Sequence, residues 1–249
     1  MKSLIKHYPI PFYFIFMILV LLSMRLLNFI INYHHEIDIL VNKIVIESIL
    51  IMLLVLFLAY LNSLNIFKFN WKSFLKGILI GWYAFVLCYL NFPKSFEDLE
   101  TNVQTLMLIV IANLLVGAFE EILCRGIIFG QLLKKYSPIK AAFISSLIFG
   151  LAHLMNLTIS DDFLAVFLQV IYAIFVGIFF AAIYYVTKSI WSVIALHGLV
   201  DLSSSLSTQE GEPISSLTEL LLNHLFILLI MLPTLIIGLL LFKKHSKHK

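Results

Sequence analysis

Charge is scarce in this chain. Only 12% of its 249 residues are Asp, Glu, Lys or Arg, about half the share of an ordinary soluble domain. No hydrophilic stretch is long enough to fold separately, which excludes a soluble enzyme and argues for one unit over residues 1–249. Cysteine is equally rare. Cys88 and Cys124 both lie in apolar segments, so a disulfide framework or a Cys-rich metal site is excluded, and both read as small buried packing residues. The sequence has no internal repeat, no low-complexity tract and no H-E-x-x-H zinc motif. What remains is apolar: 61% hydrophobic residues with a mean hydropathy of +1.03. Such a chain is an all-α, polytopic integral membrane protein. Its partner is the lipid bilayer; no nucleic-acid partner is expected, and no oligomeric state is assigned.

About eight transmembrane helices are expected. The first runs from about Ile10 to Tyr33; its basic start resembles a signal peptide, but the run is too long and lacks a small-residue cleavage site. Arg25 interrupts it and should face the bundle unless it snorkels. The second, about Ile39 to Leu61, carries Lys43 and Glu47 four residues apart, read as a neutralising pair. Lys68, Lys72 and Lys76 beside Phe67, Trp71 and Leu75 suggest a short interfacial helix. The third span is about Leu75 to Leu90, followed by an acidic turn. The fourth is about Gln104 to Leu133, and the fifth runs from Pro138 to about Leu157. The sixth, about Phe163 to Val186, has Asp161 or Asp162 as its cap and carries Gln169 and Gly177. The seventh is about Ile190 to Leu206 and the eighth about Leu220 to Phe242.

With the N-terminus inside, Lys2, Lys6, Lys68, Lys72, Lys76, Lys134, Lys135, Lys140, Lys188, Lys243, Lys244, Lys247 and Lys249 all fall on the cytoplasmic side, against Lys94 outside. This positive-inside bias puts both termini in the cytoplasm.

Against this background the stretch Phe119 to Arg125, FEEILCR, stands out. It sets Glu120, Glu121 and Arg125 inside an apolar run, where each ionised side chain costs at least about 2.5–3.5 kcal/mol. On a helix Glu121 and Arg125 share a face and can neutralise each other. Glu120 points roughly 100° away and needs a partner from another helix or water. His153 in the fifth span is one such partner. His197 and Asp201, four apart on one face of the seventh, are others. At 1.5 Å per residue, Glu120 lies about 21 Å above Lys134, His153 about 20 Å above Lys140, and Asp201 about 20 Å above Lys188; His197 is at about 14 Å. Antiparallel neighbours therefore bring the four groups to a similar depth.

Three elements, E-E-x-x-x-R (Glu120 to Arg125), F-x-x-x-H (Phe149 to His153) and H-x-x-x-N/D (His197 to Asp201), occur in that order in separate hydrophobic helices. Together they resemble the prenyl-protease and bacteriocin-processing family of intramembrane proteases, the CAAX-type Abi group. The likeness spans about Phe119 to Ser205, within a catalytic core of about 104–205. The resemblance implies an endopeptidase in which Glu120 and His153 orient and deprotonate water. It makes His197 and the residue at 201 the groups that steady the oxyanion, and Glu121 with Arg125 a structural pair supported by Phe149. Position 201 is Asp here, whereas many relatives have Asn, and an ionised Asp cannot donate a hydrogen bond. Asp201 must then be protonated or orient His197 instead.

The competing mechanism holds zinc or another divalent ion on His153, His197 and Glu120, with a fourth position open for water. No fixed-geometry ligand pair sits on one helix, which favours metal-free glutamate chemistry. Two other function classes share this residue pattern: a non-catalytic immunity or scaffold protein with the same helices, and an ion-coupled transporter, which would show two related halves. Short loops and Lys/Ile/Asn-rich usage look bacterial, implying the plasma membrane and a peptide, bacteriocin leader or membrane-protein target.

Overall fold

The computed structural model describes residues 2–33, 37–93, 102–207 and 217–246. It is 87% helical, and no strand occurs among the described residues. The helices are α1 (Lys2–His7), α2 (Pro9–Ile31), α3 (Ile39–Tyr60), α4 (Trp71–Ile80), α5 (Tyr83–Asn91), α6 (Val103–Leu132), α7 (Pro138–Ala152), α8 (Phe163–Thr187), α9 (Ile190–Ser205) and α10 (Leu217–Ser246). Short polar side chains start several of them. Asp38 accepts from the Leu40 and Val41 amides, Asn102 from Thr105 and Asp162 from Ala165. Each satisfies donors that a first helical turn leaves orphaned.

Six described helices are long and apolar enough to cross a membrane, and α4 with α5 would make a seventh if the pair is one span. This differs from the expected eight in two places. The third expected span is broken, bending by 61° between Ile80 and Tyr83. The seventh, α9, has 16 residues, which at 1.5 Å per residue gives only about 24 Å. The expected interfacial helix is shorter than the sequence suggests: α4 carries Trp71, Lys72, Leu75 and Lys76 but not Phe67 or Lys68. Leu64–Phe67 forms one 3₁₀ turn, and the helix starts only at Trp71, where Asn70 caps the Ser73 amide. The asparagine stops the helix from extending back over Lys68. The acidic turn with Lys94, the loop from 208 to 216, His34, His35 and the tail with Lys247 and Lys249 lie outside the described residues.

Two helices organise the bundle. Helix α8, apolar on all sides, is buried between α7 and α10, as expected for a helix without a polar face. Helix α9 lies between α6 and α5, and its approach to α6 depends on two glycines. A Cβ on Gly117 would sit 2.7 Å from the Gly198 nitrogen. Only paired small residues permit that spacing, and it brings His197 beside the paired glutamates.

Candidate active site

The buried half of the site is an ion pair sealed from solvent. Glu121 and Arg125 expose 0% and 1% of their side chains, and Arg125 Nη1 donates to Glu121 Oε1 at 2.7 Å. The guanidinium also donates through Nη2 to the Gly177 carbonyl at 3.2 Å. Its carbon lies 4.9 Å from the centre of the Phe149 ring and 5.6 Å from that of Phe180. Arg125 thus links α6, α7 and α8 through charge-assisted bonds and cation–π contacts. Around it the helix widens: from Ile122 to Phe129 it is π-helical, and the Gly130 amide bonds back five residues to the Arg125 carbonyl. Such wide turns are associated with functional sites. All eight residues of this turn are buried.

His197 joins this pair to the accessible half. Its Nδ1 donates to Glu121 Oε1 at 2.7 Å, so Glu121 holds its ring from the buried side. Its Nε2 lies 3.4 Å from Glu120 Oε2 and 3.6 Å from Asp201 Oδ2. The second distance is too long for a hydrogen bond but close enough for charge attraction. Glu120 and Asp201 keep 25% and 30% of their side chains exposed. The two adjacent glutamates therefore differ sharply: one is locked inside, the other can be reached.

His153 sits where α7 gives way to a 3₁₀ turn, His153–Thr158. Its Nδ1 donates to the Phe149 carbonyl at 3.0 Å, which leaves the Nε2 lone pair as its acceptor. The ring stands edge-on to Phe149, with centroids 4.9 Å apart. Arg25 clamps the following turn by donating to the Met155 carbonyl at 3.1 Å and to the Thr158 hydroxyl, and Asn156 donates to Gln169 at 2.8 Å. Arg25 therefore has partners within the bundle. Glu120 is within electrostatic range of His153, His197, Asp201 and Glu121. The structure thus draws the seven residues of the three sequence elements into one cluster.

One nearby carboxyl group differs from the sequence expectation. Glu47 of α3 is only 5% exposed, its Oε2 has no hydrogen-bond partner, and it interacts electrostatically with Glu120. No ion pair within 4.0 Å joins it to Lys43 among the described residues. Lys43 is exposed and Glu47 buried, so the expected pair makes no direct contact and Lys43 attracts the carboxyl group only at longer range. The signal was available in the helical stripe: Glu47 stands three and seven residues before Leu50 and Leu54, both buried.

Among the described residues, no three His, Cys, Asp or Glu side chains are placed to hold a metal ion.

The family model described as "Type II CAAX prenyl endopeptidase Rce1-like" matches residues 102–203. Over this stretch the chain is similar to that CAAX protease family. No curated protein and no solved structure matches the chain. The Rce1-like stretch runs from the cap of α6 to near the end of α9 and contains every residue of the three elements. Helices α2 and α3, which supply Arg25 and Glu47, lie outside it. The protein is accordingly a multi-pass membrane protein with a stretch similar to a peptidase family.

Proposed function

We propose that the chain is an intramembrane endopeptidase that hydrolyses a peptide bond of a membrane-associated or lipidated peptide or protein, using metal-free glutamate and histidine chemistry. The observation that carries this reading is the contrast within the glutamate pair: Glu121 is sealed and doubly bonded, while Glu120 is accessible and faces two histidines. Glu120 and the Nε2 lone pair of His153 hold the water. Glu120 takes its proton as oxygen attacks the scissile carbonyl carbon, and passes it to the departing amine nitrogen when the C–N bond breaks. Protonated His197, its Nδ1–H held by Glu121, presents Nε2–H to the developing oxyanion. Asp201 sits beside the same nitrogen and steers it electrostatically, a role open to a carboxylate that has no proton to donate. The catalytic core is 104–205, and the remaining helices support it in a bacterial plasma membrane with both termini cytoplasmic.

The test compares membrane and secreted peptides from cells lacking this protein, complemented with wild type, Glu120→Gln or His153→Ala at matched expression. A cleavage product seen only with wild type supports the peptidase reading, and the product's ends name the substrate. If both variants restore every product, the reading fails in favour of an immunity or scaffold role.

A further inference from the structure

Away from the glutamates, a cavity of about 450 Å³ opens where the start of α2, the end of α3 and the end of α6 meet. Its wall divides by chemistry. Lys6, Lys134 and Lys135 bring three ammonium groups to it, and Ile5, Pro9 and Leu61 bring apolar surface. No carboxylate lines it. Among the described residues none of these lysines is within 4.0 Å of an acid.

The lysines are held in place by neutral groups. Lys134 Nζ donates to Gln131 Oε1 at 2.8 Å, and buried Gln131 donates in turn to the Ser63 hydroxyl at 3.2 Å. Lys135 Nζ donates to the His7 carbonyl at 2.9 Å and the Lys6 carbonyl at 3.4 Å. These bonds orient the cations without neutralising them, and an ammonium has three protons to donate. Three like charges around one hollow repel each other unless an anion sits among them.

The position indicates which anion. Lys6 precedes one apolar span, Leu61 ends the next and Lys134 follows a third, so the cavity lies at the level where acyl chains give way to headgroups. We propose that it is a phosphate-binding site whose occupant is an acidic phospholipid, the phosphate among the three lysines and the upper acyl chain against Ile5, Pro9 and Leu61. Basic pockets between membrane helices recognise headgroups in this way. The lipid would tie α1 and α2 to the end of the helix that carries Glu120 and Glu121.

The experiment measures binding of phosphatidylglycerol, phosphatidylcholine and inorganic phosphate to the full-length purified chain in detergent, by native mass spectrometry. The pocket variant is Lys6→Gln with Lys134→Gln, leaving Lys135 to hold α1. The control is Lys68→Gln with Lys72→Gln, and thermal unfolding in phosphatidylcholine checks that both fold. Wild type should prefer phosphatidylglycerol over phosphatidylcholine by on the order of a hundredfold, the sum of three lysine contributions. The pocket variant should fall to roughly fivefold and the control should stay at the wild-type value. Equal binding of the two lipids, or equal loss in both variants, overturns the proposal. Inorganic phosphate binding as tightly as phosphatidylglycerol would overturn the lipid assignment and make the source a soluble phosphate.

Discussion

Arg125 offers the sharpest test of how the site is held together. Replacing it with Met keeps much of the volume but removes the 2.7 Å bond to Glu121, the bond to the Gly177 carbonyl and the contacts with Phe149 and Phe180. Glu121 would then be fully buried, with Oε2 already lacking a hydrogen-bond partner and only His197 on Oε1. Breaking a buried pair by removing one member costs about 3–5 kcal/mol, because the other charge is stranded. For a chain of this size that corresponds to a fall in Tm of roughly 6–20 °C. Glu121→Gln alone should also destabilise, since it strands the guanidinium. The double variant Glu121→Gln/Arg125→Met removes both charges, so it should be more stable than the sum of the single effects predicts, by about 1–3 kcal/mol. The assay is thermal unfolding of the four proteins in one detergent, with Arg125→Lys as a fifth. Lysine retains the charge but not the bifurcated reach or the planar stacking, and it should recover only part of the loss. Strict additivity of the two single variants, or an Arg125→Met protein within about 1 kcal/mol of wild type, would refute the claim that these two buried charges compensate each other.

Gly117→Val should separate α6 from α9, because even a Cβ at this position meets the Gly198 nitrogen at 2.7 Å. Overpacking of this kind costs about 1–3 kcal/mol, and peptidase activity should fall more steeply than stability as Glu121 and His197 part; equal activity per folded molecule would argue against the coupling. Phe149→Leu should lose about 0.5–2 kcal/mol of cation–π attraction to Arg125 and free the His153 ring, measured as a lower Tm with reduced kcat and little change in KM. Glu47→Met should raise stability by about 1–3 kcal/mol, since it removes a buried carboxyl group with an unpartnered oxygen and no ion pair. A drop in Tm for this variant would mean that Glu47 has a stabilising partner.

The membrane class of the fold was legible because its cause is local. A run such as Leu106 to Leu133 is apolar enough to demand a helix whatever surrounds it. The cluster was legible for a similar reason, since ionisable residues are rare in such runs and the spacing of Glu121 to Arg125 and of His197 to Asp201 fixes which pairs share a helical face. Tertiary packing decided the rest. Where the third span breaks, how Glu47 turns inward while Lys43 turns out, and which carboxylate holds His197 all depend on contacts between helices distant in sequence. The glutamates show the difference most directly. Two identical side chains one residue apart could not be told apart by type, and only the approach of Arg125, Gly177 and His197 seals Glu121 while leaving Glu120 open. Sequence sets which groups must escape the lipid, and packing sets where each can go, because a buried charge is stabilised only by partners that the whole bundle brings to it.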